Sequence, residues 1–124
     1  MPRPTDAELE ILNVLWNRGP STVRDVYEEI NRSKPAQYTT VLKTLQIMAD
    51  KELVRRDEKQ RAHIYRAAKP REHTQRQIAG DLLRRAFGGS ARSLLMGALS
   101  ARRASKSELD EIRQMLDAYE KETK

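Results

Sequence analysis

Six side chains between residues 37 and 44 have the chemistry needed to read the edges of DNA bases. A glutamine amide can bond adenine, a lysine ammonium can reach the acceptors of guanine, and threonine methyl groups can contact the thymine methyl. Threonine hydroxyls can also bind phosphate oxygens. The alternative is an ordinary solvated face of a helix. We predict that the following residues contact DNA: Gln37, Tyr38, Thr39, Thr40, Lys43 and Thr44.

A group of cationic side chains follows in the chain, at Arg55, Arg56, Lys59, Arg61, His63 and Arg66. We predict that Lys59 and Arg61 occupy the tip of a hairpin, from which they reach a minor groove or its flanking phosphates. Side chains alternate in a strand, so only those on one face can meet one phosphate backbone together. Such charges also protect exposed sheet edges against aggregation, and both roles are compatible.

Other kinds of chemistry find little support in the sequence. There is no cysteine, which excludes disulfides, thiolate metal sites and cysteine nucleophiles. The histidines, His63 and His73, lie outside any metal-binding spacing, and no glycine-rich phosphate loop or catalytic triad is present. The pattern therefore predicts no enzyme activity, no metal and no cofactor. We expect the aromatic residues Trp16, Tyr27 and Tyr65 to belong to the core rather than to stack on bases.

The DNA-contacting candidates fall on the third of three predicted helices. The first begins at a capping box, Thr5 to Glu8, and ends near Asn17; the second begins at Ser21 or Thr22. The third covers residues 38–51, and the cationic residues then lie in two short strands, 53–56 and 62–66. Three helices followed by a basic hairpin is the order of a winged helix-turn-helix, whose third helix enters the major groove.

The rest of the chain is predicted to be helical. One helix opens at Pro70, a second covers residues 90–99, and a third has Ser107 as its cap, with Asp110 at the capping-box position. In the last helix, apolar residues alternate spacings of three and four, which suits a partner helix. We predict that residues 1–69 form a DNA-binding domain and residues 70–124 a dimerisation domain. The predicted dimer contacts are Leu82, Leu94, Leu95, Leu109, Ile112, Leu116 and Tyr119.

Charge is distributed unevenly over the 124 residues, whose net charge is +6. Residues 34–69 carry nine basic and four acidic side chains, and residues 70–106 carry eight and two, whereas both ends are acidic. A basic middle is typical of a surface that binds a polyanion. The longest apolar run, 94–99, is far too short to span a membrane, so we expect a cytoplasmic protein without membrane insertion.

Five ordered blocks resemble the penicillinase-repressor family (the BlaI/MecI/CopY group). They are TDAELEIL from Thr5 with Leu15-Trp16, STVRDV from Ser21, YTTVLKTL from Tyr38, KELV from Lys51 and RAHIY from Arg61. The resemblance implies a winged-helix repressor that binds a palindromic operator as a dimer. It also implies release by cleavage in the C-terminal domain, triggered by a membrane-bound sensor protease.

Three departures from the family pattern bear on this resemblance. The segment that contains the family's cleavage site aligns with residues 93–99, and its usual Asn-Phe pair is Gly97-Ala98 here. Glycine is common in the family where this chain has Glu52 and Gln60, so a turn differs or these residues are strained. The copper-responsive branch uses a C-terminal cysteine motif, which this chain lacks.

The sequence thus predicts a mainly α fold with a small β-hairpin: a winged helix-turn-helix domain followed by a helical dimerisation domain. The predicted function is that of a homodimeric, sequence-specific transcriptional repressor. Two alternatives are a non-specific architectural protein that neutralises phosphates, and a protein-interaction module whose hairpin and tail bind an acidic partner. These differ in salt dependence and in discrimination between DNA sequences.

Overall fold

A computed structural model describes residues 3–123 of the chain, which contain six α-helices and three short strands. Two compact units emerge, one up to Ala79 and one from Gly80, and each is described separately below. The elements are α1 (Asp6–Arg18), β1 (Ser21–Thr22), α2 (Val23–Ser33), α3 (Tyr38–Asp50), β2 (Val54–Asp57), β3 (Ile64–Ala67), α4 (Arg71–Arg85), α5 (Ala91–Ala101) and α6 (Lys106–Glu122). The mainly α fold with a winged-helix part and a helical C-terminal part is confirmed.

Capping boxes begin the first two helices. The Thr5 hydroxyl accepts the N–H of Glu8 at 3.2 Å, and the Glu8 carboxylate accepts the N–H of Thr5 at 2.9 Å. Thr22 and Asp25 form the same reciprocal pair at the start of α2, with both distances 3.1 Å. The bond from the Thr22 N–H lowers the pKa of Asp25. Each box satisfies backbone donors that a helix start would otherwise leave unpaired.

The sheet has three strands in the order β1-β3-β2, rather than the two of the predicted hairpin. Ser21 and Thr22 pair antiparallel with Tyr65 and Ile64. A strand of two residues shows no alternation, so nothing in the sequence signals it. The hairpin strands themselves lie one residue later at their C-terminal ends than the sequence predicted.

The core of the first unit lies between the three helices and the sheet. Leu12, Val26, Leu45, Met48 and Tyr65 are almost fully buried there. Trp16 and Tyr27 pack against this core from its edge and are only partly buried. The Trp16 Nε1–H donates to the carbonyl oxygen of Lys69 at 3.0 Å. This bond satisfies the indole donor at the edge of the core.

The end of α3 is a Schellman motif with a glutamate where glycine is usual. The Leu53 N–H donates to the carbonyl oxygen of Met48 at 2.9 Å, and the Glu52 N–H donates to that of Ala49 at 3.1 Å. Glu52 has a φ of 63°, in the left-handed region that disfavours residues with a Cβ. The strain expected at Glu52 is thus present, whereas Gln60 does not adopt a positive φ.

The second unit consists of helical segments with little buried surface. Gly88 and Gly89 adopt φ values of 56° and 82° after α4. Ser105, and not Ser107, caps α6: its hydroxyl accepts the N–H of Glu108 at 3.0 Å. The prediction of Ser107 was wrong because Ser-x-x-acid spacing occurs twice here and the helix starts at the first of the two. α5 and α6 contain no buried residue. Among residues 3–123, no helix is both long and apolar enough to cross a membrane.

Candidate nucleic-acid interface

α2 and α3 form a helix-turn-helix pair whose outer face is set by what α3 buries. Val41, Leu45 and Met48 of α3 face the core, and Leu42 packs against its edge, so the exposed residues of the first half of α3 form its outer face. The connection to α2 is held by the Asn31 side chain, whose Oδ1 accepts the N–H of Ala36 at 3.0 Å. The fold therefore leaves one face of α3 exposed to solvent.

The six candidate residues of α3 are gathered at its N-terminal half. Gln37 is the N-cap but forms no capping bond through its side chain, which leaves its amide available. Tyr38, Thr39, Thr40 and Lys43 are exposed. Thr44 is half-buried, and its hydroxyl donates to the Thr40 carbonyl at 2.8 Å. Its hydroxyl proton is therefore occupied, and its methyl group is the part that suits a thymine contact.

A cluster of three side chains adjoins the start of α3. The ring of Tyr38 meets that of Tyr27 edge-on, with centroids 5.8 Å apart. The Arg24 guanidinium lies over the Tyr38 ring, 5.3 Å from its centroid. Arg24 was not among the predicted contact residues, because its position over Tyr38 depends on the packing of α2 against α3. The cluster brings a cation next to the base-contacting candidates and limits the rotamers of Tyr38.

The hairpin between β2 and β3 carries the second set of candidates. Lys59 and Arg61 lie in its exposed connection, as expected for its tip. The Lys59 N–H donates to Asp57 Oδ1 at 2.9 Å, which orders the start of this connection. Arg56 is held by Glu58 at 2.7 Å; hydrogen bonding to Tyr65 and the Glu58 charge raise the pKa of Arg56. Arg56 is therefore already partnered. In contrast, Lys59 and Arg61 form no ion pair with a carboxylate within residues 3–123.

A partly buried ion pair joins the first helix to the end of the third. Glu8 Oε2 lies 2.9 Å from Lys51 Nζ, and the Glu8 side chain is only 4% exposed. Burial raises the pKa of Glu8, but the hydrogen bonds from Thr5 and Lys51 outweigh it, so the pKa lies below its usual value. This pair anchors α3 against α1 and so helps to fix the orientation of the outer face.

The predicted dimer contacts all lie in the second unit, which includes the end of α4. Leu82, Leu95, Leu116 and Tyr119 are exposed, Tyr119 to 66%. Leu94, Leu109 and Ile112 are half-buried. Gly97 and Ala98 lie within α5, and a Cβ on Gly97 would approach the Phe87 ring at 3.3 Å. No group of His, Cys, Asp or Glu side chains in the described part of the chain is arranged to hold a metal ion.

A helix-turn-helix followed by a cationic β-hairpin defines the winged-helix class. The sequence profile of the penicillinase-repressor family matches residues 4–118, so the chain belongs to that family, as its motifs indicated. Two strains of Mycobacterium tuberculosis, H37Rv and CDC 1551, have a relative called transcriptional regulator BlaI. It is 32% identical over 117 residues, which is 93% of this chain and 83% of the relative. A penicillinase repressor of Staphylococcus aureus is 20% identical over 115 residues, with 93% and 91% covered.

Proposed function

We propose that this protein is a transcriptional repressor that binds a palindromic DNA operator as a homodimer. The observation that supports this most strongly is the exposed polar face of α3, presented by a helix-turn-helix beside a cationic hairpin. The names of the relatives, a transcriptional regulator and a penicillinase repressor, agree with it. The protein would act on chromosomal DNA in the cytoplasm, with no catalytic step and no cofactor.

In this proposal α3 reads bases in the major groove. Gln37 and Lys43 supply hydrogen bonds to base edges, and the methyl groups of Thr40 and Thr44 contact thymine. Each well-placed base contact discriminates by about 1–3 kcal/mol against the wrong base. Lys59 and Arg61 bind phosphates or the minor groove and therefore add affinity without sequence preference.

Dimerisation would use the second unit. Its exposed apolar side chains have no core of their own to enter, and a second copy would bury them. A groove of about 420 Å³ between α5 and α6 is lined by apolar and cationic side chains, among them Leu95, Leu99, Ile112, Arg102 and Arg103. Two-fold pairing would place the half-sites about 34–36 Å apart, or a multiple of that spacing. The second half-site contact becomes effectively intramolecular, so splitting the dimer empties the operator.

Release by proteolysis is the finer part of the proposal. A cut at Gly97-Ala98 would divide α5 and separate α6 from the rest of the chain. Both residues are exposed, but they lie inside a helix, so α5 must unwind locally before a protease can bind the strand-like backbone. A membrane-bound sensor protease is the partner that the family resemblance suggests for this step.

The test is selection of bound fragments from the source organism's own DNA, followed by affinity measurements on the best fragment and on random duplex. The proposal expects a two-fold-symmetric site bound about 10³-fold or more tighter than random DNA at physiological salt. Equal affinity for both, with a steep salt dependence, would instead identify an architectural DNA-binding protein. Absence of DNA binding would favour the protein-interaction module, and a monomer at micromolar concentration by sedimentation would refute the dimer.

A further inference from the structure

Two arginines of the hairpin face each other across adjacent strands. Arg55 of β2 is the direct register partner of Arg66 of β3. Their neighbours Val54 and Tyr65 are buried, so alternation along each strand turns both arginines to the solvent face of the sheet. Directly opposed residues in antiparallel strands have Cβ atoms about 4.5–5.5 Å apart. Two guanidinium groups therefore share one small area of the surface.

This pair of like charges has no direct ionic partner among residues 3–123, although Asp57 and Glu58 line the same groove. Neither arginine forms an ion pair within residues 3–123, and the nearby Glu58 is already bound to Arg56 at 2.7 Å. Asp57 lies on the same face, but its Oδ1 accepts the N–H of Lys59. Like charges directly opposite each other destabilise a sheet, so the arrangement favours an external anion.

The opposed arginines also share a concave surface. A groove of about 510 Å³ is lined by Arg55, Arg66 and Lys59, together with Arg56, Asp57 and Glu58. Guanidinium groups bind phosphate oxygens through two parallel N–H bonds, and they do so in an orientation that planar geometry defines. β2 begins four residues after α3 ends, so the groove and the outer face of α3 belong to the same compact unit.

We propose that Arg55 and Arg66 form a phosphate-binding pair on the outer face of the hairpin, which grips the sugar-phosphate backbone of DNA without regard to base sequence. The pair lies in the two strands rather than in the hairpin tip, although Lys59 of the tip lines the same groove. The inference rests on the proposed function in one respect, which is that the bound polyanion is DNA. It does not require that the protein recognise a specific operator. An acidic protein segment in the same groove is the competing occupant, and the experiment below separates the two.

The experiment compares the full-length protein with its Arg55→Gln/Arg66→Gln variant. Affinities for a random-sequence duplex and for the best selected fragment are measured between 50 and 200 mM salt. Each neutralised phosphate contributes about 0.9 to the slope of log affinity against log salt, so the slope falls by about 1.8 per bound protomer. When salt rises fourfold, both proteins bind DNA more weakly. The salt-induced loss of affinity is about 12-fold smaller per protomer for the variant than for the wild type.

The matched control is Lys106→Gln/Lys121→Gln, which removes the same charge from exposed positions of α6 that form no ion pair within residues 3–123. Its salt slope should remain that of the wild type, and sedimentation of both variants should match the wild type. The hairpin variant should unfold at the same or a slightly higher temperature, because a repulsive cross-strand pair is removed.

Three results would overturn the phosphate-binding pair. They are an unchanged salt slope in the hairpin variant, an equal fall in the control variant, and a loss confined to the selected fragment. The last would assign the arginines to base reading. If wild type shows no preference for any fragment, the specific repressor fails, yet the slope comparison on random duplex still decides the pair. Absence of DNA binding by the wild type would overturn both proposals.

Discussion

Removing the charge of Glu8 should destabilise the first unit less than removing that of its partner Lys51. In Glu8→Gln, the amide oxygen can keep the bond from the Thr5 N–H, and the Lys51 ammonium, 32% exposed, can turn to water. Hydrogen bonds to charged groups contribute about 1.5–3 kcal/mol, and partial exposure of Lys51 reduces this. We expect a loss of about 1–2 kcal/mol in the free energy of unfolding.

Lys51→Met should cost more, because it leaves the Glu8 carboxylate 4% exposed and without its cation. Breaking a buried pair from this side costs about 3–5 kcal/mol, and the remaining bond from Thr5 brings our expectation to about 3 kcal/mol. The double variant, with neither charge, should be more stable than Lys51→Met alone. Urea unfolding at pH 7 measures all four proteins, and an unchanged dependence on urea shows that only stability changed.

The pH dependence supplies an independent check. The pKa of Glu8 is lower in the folded protein than its ordinary value of 4.5, so the folded state favours the ionised form. The resulting stabilisation is fully present above pH 4.5 and is lost as pH falls through the lower, folded pKa. Wild type should therefore lose more stability than Glu8→Gln on acidification below pH 4.5. Two results together would refute this account of the pair. The two single variants would lose the same free energy of unfolding, and the difference in stability between wild type and Glu8→Gln would not change with pH.

Three further predictions concern the helix end, the interface and the dimer. Glu52→Gly should stabilise by about 0.5–1 kcal/mol, since relief of the left-handed strain exceeds the entropy cost of glycine; a lower melting temperature would contradict the strain. Lys43→Ala should reduce discrimination between operator and random duplex by about 1–3 kcal/mol, whereas Arg61→Ala should weaken both similarly; equal losses for Lys43→Ala would remove Lys43 from the base-reading set. Leu116→Asp, at a side chain 55% exposed, should shift the protein to monomer in sedimentation without lowering the stability of the first unit, as should Tyr119→Asp; a persistent dimer would place the interface elsewhere.

Local sequence signals were sufficient to predict most helices of the first unit. The capping box at Thr5 and Glu8 and the apolar spacing from Val23 to Ile30 depend only on neighbours within a turn or two of helix. The buried stripe of α3 follows from the same periodicity, so its outward face was predictable as well. The predicted fold class and family were both confirmed. The assignments of individual residues to DNA contact, dimerisation and cleavage stay predictions.

Contacts between residues far apart in the chain had no comparable signal. Arg24 lies over Tyr38 because α2 and α3 pack together. Ser21 pairs with Tyr65 because the segment between α1 and α2 lies beside β3. The choice of Ser105 over Ser107 as a cap depended on where α6 starts, which two equivalent spacings left open.

The residues of this chain carry the chemistry of its surface, since side-chain type, charge and helical period are properties of neighbouring residues. Polar groups on one side of α3 and cations in the hairpin are visible without any structure. Strand register decides which of those cations are neighbours. The register is fixed when Val54 of β2 and Tyr65 of β3 are buried in the core. The opposition of Arg55 and Arg66, and the anchoring of Lys51 on Glu8 across 43 residues, arise only once the chain has packed.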